Sequence, residues 1–80
     1  MHDIEAKPLH PATQVLLECF DYAHLPPSLH MIAAKLYELA HTLARELPDL
    51  PEVRDGLEIL HEARECFLWA AMIGHAQEKR

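Results

Sequence analysis

All six prolines of this 80-residue chain fall in three short clusters, Pro8 and Pro11, Pro26 and Pro27, Pro48 and Pro51, and that placement fixes where helices can start. Proline fits the first turn of a helix but removes a hydrogen bond and clashes in its interior. Three helices are therefore expected, from Pro11 to about Phe20, from Pro26-Pro27 to about Leu47, and from Pro51 to about Ala76. Half of the residues are hydrophobic and only Gly56 and Gly74 are glycine, a composition that favours long regular elements over a turn-rich β architecture.

Apolar spacing supports each segment. Val15, Leu16, Cys19 and Phe20 give the first a patch spaced by three and four. Leu29, Ile32, Leu36, Leu39 and Leu43 draw a single stripe along the second. The connector Pro48-Asp49-Leu50-Pro51 is short, and Asp49 with Glu52 three residues on has the form of a capping box for the third. So short a connector predicts an antiparallel αα-hairpin with nearly matched arms of about 30 Å. One domain over 10–76 is expected, flanked by an N-terminal tail, 1–9, and a C-terminal tail, 77–80. There is no internal repeat.

The third helix carries two apolar stripes. One is Val53, Leu57, Leu60 and Phe67; the other is Ile59, Ala63, Cys66, Ala70 and Ile73, with Trp69 beside them. A hairpin buries one seam, and an 80-residue monomer shelters only about 60% of its unfolded surface. At about 25 cal/mol per Å², a few hundred Å² of exposed apolar stripe forfeits several kcal/mol, comparable to the whole stability of a small domain. The expected architecture is thus all-α: a short N-terminal helix plus a long antiparallel hairpin, assembled as a homo-oligomeric helical bundle. A monomeric three-helix bundle is the alternative.

Charge and residue chemistry narrow the function. The formal charge is −6, and Lys7, Lys35, Arg45, Arg54, Arg64, Lys79 and Arg80 are scattered, so long nucleic acid is excluded as a partner. A small phosphate ligand held by a few cations converging across a subunit interface remains compatible. No apolar run reaches the roughly twenty residues that a membrane-spanning helix needs. Cys19 and Cys66 lack zinc-type spacing and no signal peptide is seen, which predicts buried free thiols and a cytoplasmic protein.

Glu38-x-x-His41 and Glu58-x-x-His61 have the spacing of di-metal bundle ligands, which must point inward. Helical periodicity instead turns Glu38 and His41 away from the leucine stripe, and gathers Glu58, His61, Glu62 and Glu65 on a polar face. Histidines 2, 10, 24, 30 and 75 form no ligand spacing and read as surface or cap residues. No nucleophile lies beside a base, and Cys66 sits in an apolar stripe that would blunt it. No metal, cofactor or catalytic residue is expected, and the chain reads as a non-enzyme.

The segment Phe20-Asp-Tyr22-Ala-His24-Leu-Pro-Pro places a ring and an imidazole just before a helix start, where free N–H groups favour anions. A stacked base with a phosphate beside it would suit it. Alternatively, Phe20 and Tyr22 tuck the N-terminal arm onto the hairpin.

Over residues 10–72 the chain resembles the small phage helical-hairpin cyclic-nucleotide sponges that counter the CBASS and Thoeris bacterial defences. The resemblance is carried by His10-Pro-Ala-Thr-Gln-Val-Leu-Leu, Phe20-x-Tyr22-x-His24-Leu-Pro-Pro-x-Leu29, Tyr37-x-Leu-Ala40 and Leu47-Pro-Asp-x-Pro-Glu52, followed by Leu57, Leu60 and Glu62-Ala63. It implies a homo-oligomer, hexameric in the better-known members, whose interfaces enclose cyclic di- or trinucleotides without cleaving them. By position it implies base stacking on Tyr22, with His24 beside it, and phosphate contacts from among Lys35, Arg54 and Arg64. Glu58 and Ile59 stand where relatives carry basic residues.

Overall fold

The computed structural model describes residues 8–78, which form three α-helices and no strand: α1 Pro11–Glu18, α2 His30–Glu46 and α3 Pro51–Glu78. A 3-10 turn over Pro27–Leu29 runs straight into α2. The remainder of the expected tails, 1–7 and 79–80, lies outside the described residues. Each proline cluster sits where its ring costs no internal hydrogen bond, with Pro11 and Pro51 as first residues of their helices. Among the described residues no helix is long and apolar enough to cross a membrane.

Helix lengths differ from the expected matched arms. At 1.5 Å per residue, the 28 residues of α3 span about 42 Å and the 17 of α2 about 26 Å. α1 stops at Glu18, so Phe20 lies in the turn that follows it, where its N–H donates to the Leu17 carbonyl.

The core has two parts. Toward the α2–α3 connector, Leu17, Phe20, Ala40, Ala44 and Leu57 are buried together. At the other end, Leu29, Ala33 and Leu68 are buried, with Tyr22, Leu25, Ile32 and Ala71 packed against them. The most deeply buried residues of α2 are Ala33, Ala40 and Ala44; of the expected stripe, Leu29 is buried and Ile32 and Leu36 pack against the core, while Leu39 and Leu43 are exposed. Small side chains let neighbouring helices approach closely, and the space fills with Phe20 and Leu57, both essentially inaccessible.

On α3 the buried residues are Leu57, Arg64 and Leu68, while Phe67 turns outward. Cys19 and Cys66 are exposed free thiols, contrary to the expected burial. At 100° per residue, Cys66 lies half a revolution from Leu57, on the side of α3 farthest from the core.

Asp49 is the tie between segments. It does not cap α3, whose first N–H groups, those of Val53 and Arg54, donate to the Leu50 carbonyl. Its carboxylate instead accepts from the His10 backbone N–H at 2.6 Å and from the Thr13 hydroxyl at 2.8 Å. The Arg54 guanidinium stands 3.2 Å away, also within reach of Thr13. The expected capping box fails because the His10 and Thr13 donors, 39 and 36 residues away in sequence, and Arg54 claim the carboxylate. His10 caps α1 through its ring, Nδ1 accepting from the Ala12 N–H at 3.0 Å.

The His10 N–H and the Thr13 hydroxyl hold the Asp49 carboxyl below its ordinary 3.8, helped by Arg54 and opposed by partial desolvation. A lowered folded-state value stabilises the fold fully above the unfolded value, and that contribution is lost as pH falls through the folded one. The melting temperature of the wild-type chain is accordingly expected to drop below about pH 4, by an increment missing in Asp49→Ala. Thr13→Val, at a buried site bonded to a charged group, should cost about 1–3 kcal/mol in denaturant titrations.

Candidate functional site

The turn between α1 and α2 gathers rings. The Leu25 N–H donates to the Tyr22 carbonyl at 3.0 Å, closing a turn, and the His30 ring Nε2 lies 2.8 Å from the Leu25 carbonyl. A carbonyl oxygen only accepts, so Nε2 carries the proton. Tyr22 then meets His30 edge to face at 5.4 Å and Tyr37 at 5.6 Å. Tyr37 in turn lies 4.0 Å from the His41 ring, whose Nδ1 is 2.9 Å from the Tyr37 carbonyl. The Tyr37–His41 pair is tilted, at 32° between ring planes, whereas edge-to-face aromatic pairs such as Tyr22 with Tyr37 are worth about 0.5–1.5 kcal/mol beyond area burial.

The result is a ladder of four rings along one flank of α2. Beside it lies a shallow groove of about 420 Å³ lined by Asp21, Tyr22, Ala23, His30 and Tyr37. Tyr22 is half-buried, its ring shared between the far end of the core and this groove.

Arg64 holds the turn from below. It is 3% exposed, and its guanidinium donates to the Asp21 carbonyl at 3.2 Å and to the Glu65 carboxylate at 2.9 Å. Its Nε has no partner. A buried charge placed this way positions the backbone that carries Tyr22, and it is not presented to the groove.

The other expected contacts lie apart. His24 is exposed at the tip of the turn. Lys35 is exposed two residues from Tyr37, hence about 200° around α2 and on the far side from the rings. Arg54 belongs to the Asp49 tie, ten residues and about 15 Å along α3 from Arg64. Tyr22 and Arg64 thus meet at one turn, while His24, Lys35 and Arg54 do not join them within a subunit. The groove lining contains no lysine or arginine. It offers ring faces and one acid, and a bound phosphate would need positive charge from another chain.

His30 and His41 escaped the sequence reading, which placed His30 among cap residues and weighed His41 only as a metal ligand. The signal was present in the spacing of His30, Tyr37 and His41 at i, i+7 and i+11, which puts three rings on one helical flank. His61 also differs from expectation. It borders the polar face through Glu65, 3.5 Å from its Nε2, while its ring lies edge-on against buried Phe20 at 5.6 Å. Among the described residues, no three His, Cys, Asp or Glu side chains converge as metal ligands would. Comparison with known protein families, characterised proteins and solved structures gives no match to this chain.

Arg64→Met should leave the Asp21 carbonyl without its donor at a cost of about 1–3 kcal/mol. The loss should concentrate at the turn: amide exchange at Leu25 should accelerate more than at Leu57. Equal acceleration at both would mean that Arg64 supports the core as a whole and not the turn.

Proposed function

We propose that this chain is a phage-type sponge. Copies of an αα-hairpin, formed by α2 and α3 with α1 folded across them, assemble into a homo-oligomeric helical bundle whose shared pockets take up cyclic oligonucleotide immune signals. Cyclic di- or trinucleotides or related cyclic ADP-ribose signals are held intact in the bacterial host cytoplasm, and anti-phage defence is inhibited by mass action. The observation that carries this reading is the open ring ladder of Tyr22, His30, Tyr37 and His41 beside a groove of ligand size. Ring faces stack on any base, at about 1–3 kcal/mol per base.

Tyr22 is the stacking residue in this reading, with His24 at the pocket mouth. Arg64 keeps Tyr22 in place from beneath. Phosphate charge is met by a neighbouring subunit, for which exposed Lys35 is the best-placed donor and Arg54 the second. Sequestration requires that the sponge outnumber the signal and bind it below the effector's threshold. No bond is made or broken in this reading.

A second reading, an adaptor hairpin that mediates protein–protein assembly without a small ligand, is favoured by the absence of a cation in the groove lining. The two separate on one experiment. Purified protein is incubated with a panel of labelled cyclic nucleotides, freed of unbound label, heated, and the supernatant chromatographed. Intact nucleotide released only on heating is expected. Tyr22→Ala should weaken retention about 5- to 150-fold at unchanged oligomer mass, matching the loss of one stacked base. Retention of no member of the panel favours the adaptor, and recovery of cleaved nucleotide rules out sequestration.

A further inference from the structure

The side of α3 turned away from the core carries a regular seam. Gly56, Ile59, Ala63, Cys66, Ala70 and Ile73 follow one another at steps of three and four, the spacing of a coiled-coil contact line. Ile59 and Ile73 are 66% and 54% exposed, and Phe67 and Trp69 on the seam's two edges are 55% and 61% exposed. None of these exposed side chains belongs to either core cluster, and at the connector end of the seam Gly56 also borders the groove that Leu43 and Leu47 of α2 form with Leu57.

Two features of this line point to what covers it. Small residues recur every seven positions at Gly56, Ala63 and Ala70, and larger ones alternate with them at Ile59, Cys66 and Ile73. If two such helices lie antiparallel, Gly56 faces Ile73 of the other copy, Ala63 faces Cys66, and Ala70 faces Ile59, so every layer joins a small side chain to a larger one. A parallel pair would stack small on small and large on large, leaving voids beside overfilled layers.

Gly56 is the second feature. A glycine inside a helix costs about 1 kcal/mol relative to alanine, yet a Cβ built there meets nothing within 4 Å. Its backbone is not in the left-handed region either. Its own subunit does not need the glycine, whereas a partner isoleucine packed against it would.

We propose that α3 pairs antiparallel with α3 of a second copy through this seam, at the close helix separation that small residues allow. Full areas of 150–250 Å² for large side chains put the exposed apolar surface of the seam and its edges at roughly 500–600 Å² per copy. That is at the top of the range of about 300–600 Å² for the largest patch on a lone soluble domain, and two copies together bury roughly 1,000–1,200 Å², the lower edge of specific dimer interfaces. Exposed Leu43 and Leu47 of α2 extend the apolar surface beside Gly56. Glu62 of one copy lies nearest Trp69 of the other, so the acidic edge does not meet itself. This pairing deepens the self-assembly proposed above but rests on the seam alone and needs no nucleotide.

The test uses the full chain without nucleotide. Light scattering coupled to size exclusion should give twice the 9.2 kDa subunit mass, or a higher even multiple. Ala70→Gln, at an exposed helical position, should weaken association about tenfold or more with unchanged helical circular dichroism. Direction is read in a Cys19→Ser/Cys66→Ser background. Mixed Gly56→Cys and Ile73→Cys chains should cross-link to each other with a short bis-maleimide, and neither should cross-link to itself. A wild-type monomer overturns the pairing even if nucleotide is retained. Self-cross-linking of each variant, or no link in the mixture, also overturns it.

Discussion

Ala33, Ala40 and Ala44 set the rotation of α2, and most of the subunit's surface follows from that rotation. A helix turns toward its neighbours the face that permits the closest approach when bulky side chains from elsewhere can fill the space. Phe20 from the turn after α1 and Leu57 from α3 do so here. With the alanines inward, one flank of α2 presents His30, Tyr37 and His41 to the Tyr22 turn. The opposite flank leaves Leu39 and Leu43 at the surface near α3. The ring ladder and part of the apolar patch are two consequences of one packing choice.

Two charged side chains secure the irregular parts that this packing leaves. Asp49, in the α2–α3 connector, binds the start of α1 through the His10 N–H and the Thr13 hydroxyl, with Arg54 of α3 beside them. Arg64 reaches from α3 to the Asp21 carbonyl and fixes the second turn. Both contacts join residues remote in sequence, and both satisfy polar groups that would otherwise be lost to water on folding. In the proposed sponge, Arg64 acts on the ligand through the placement of Tyr22.

The helices and their starts were legible in the sequence, because proline acts locally and its constraint does not depend on context. Faces were less legible. The leucine stripe at 29, 32, 36, 39 and 43 and the alanine line at 33, 40 and 44 are both compatible with a helical period, and the structure buries the alanines with the first part of the stripe, Phe20 packing with Ala40 and Ala44 while Leu39 and Leu43 are left outside. Asp49 had the spacing of a cap, but a carboxylate bonds to whichever donors the fold brings near. The cysteines were expected inside because no metal-ligand spacing or secretory signal pointed to another role, yet Cys19 and Cys66 are both exposed.

What the sequence determined by itself is the all-helical character, the order and approximate starts of the elements, and the surplus of apolar surface on the last helix. Those depend on periodicity and on proline and glycine, which are properties of neighbouring residues. The tertiary structure alone decided which side of α2 is buried, that Tyr22, His30, Tyr37 and His41 form one ladder, that Arg64 is a buried clamp, and that Arg54 sits with Asp49. These depend on contacts between residues tens of positions apart, where competing partners of equal local merit are separated only by which of them can fill the same volume or satisfy the same polar atom.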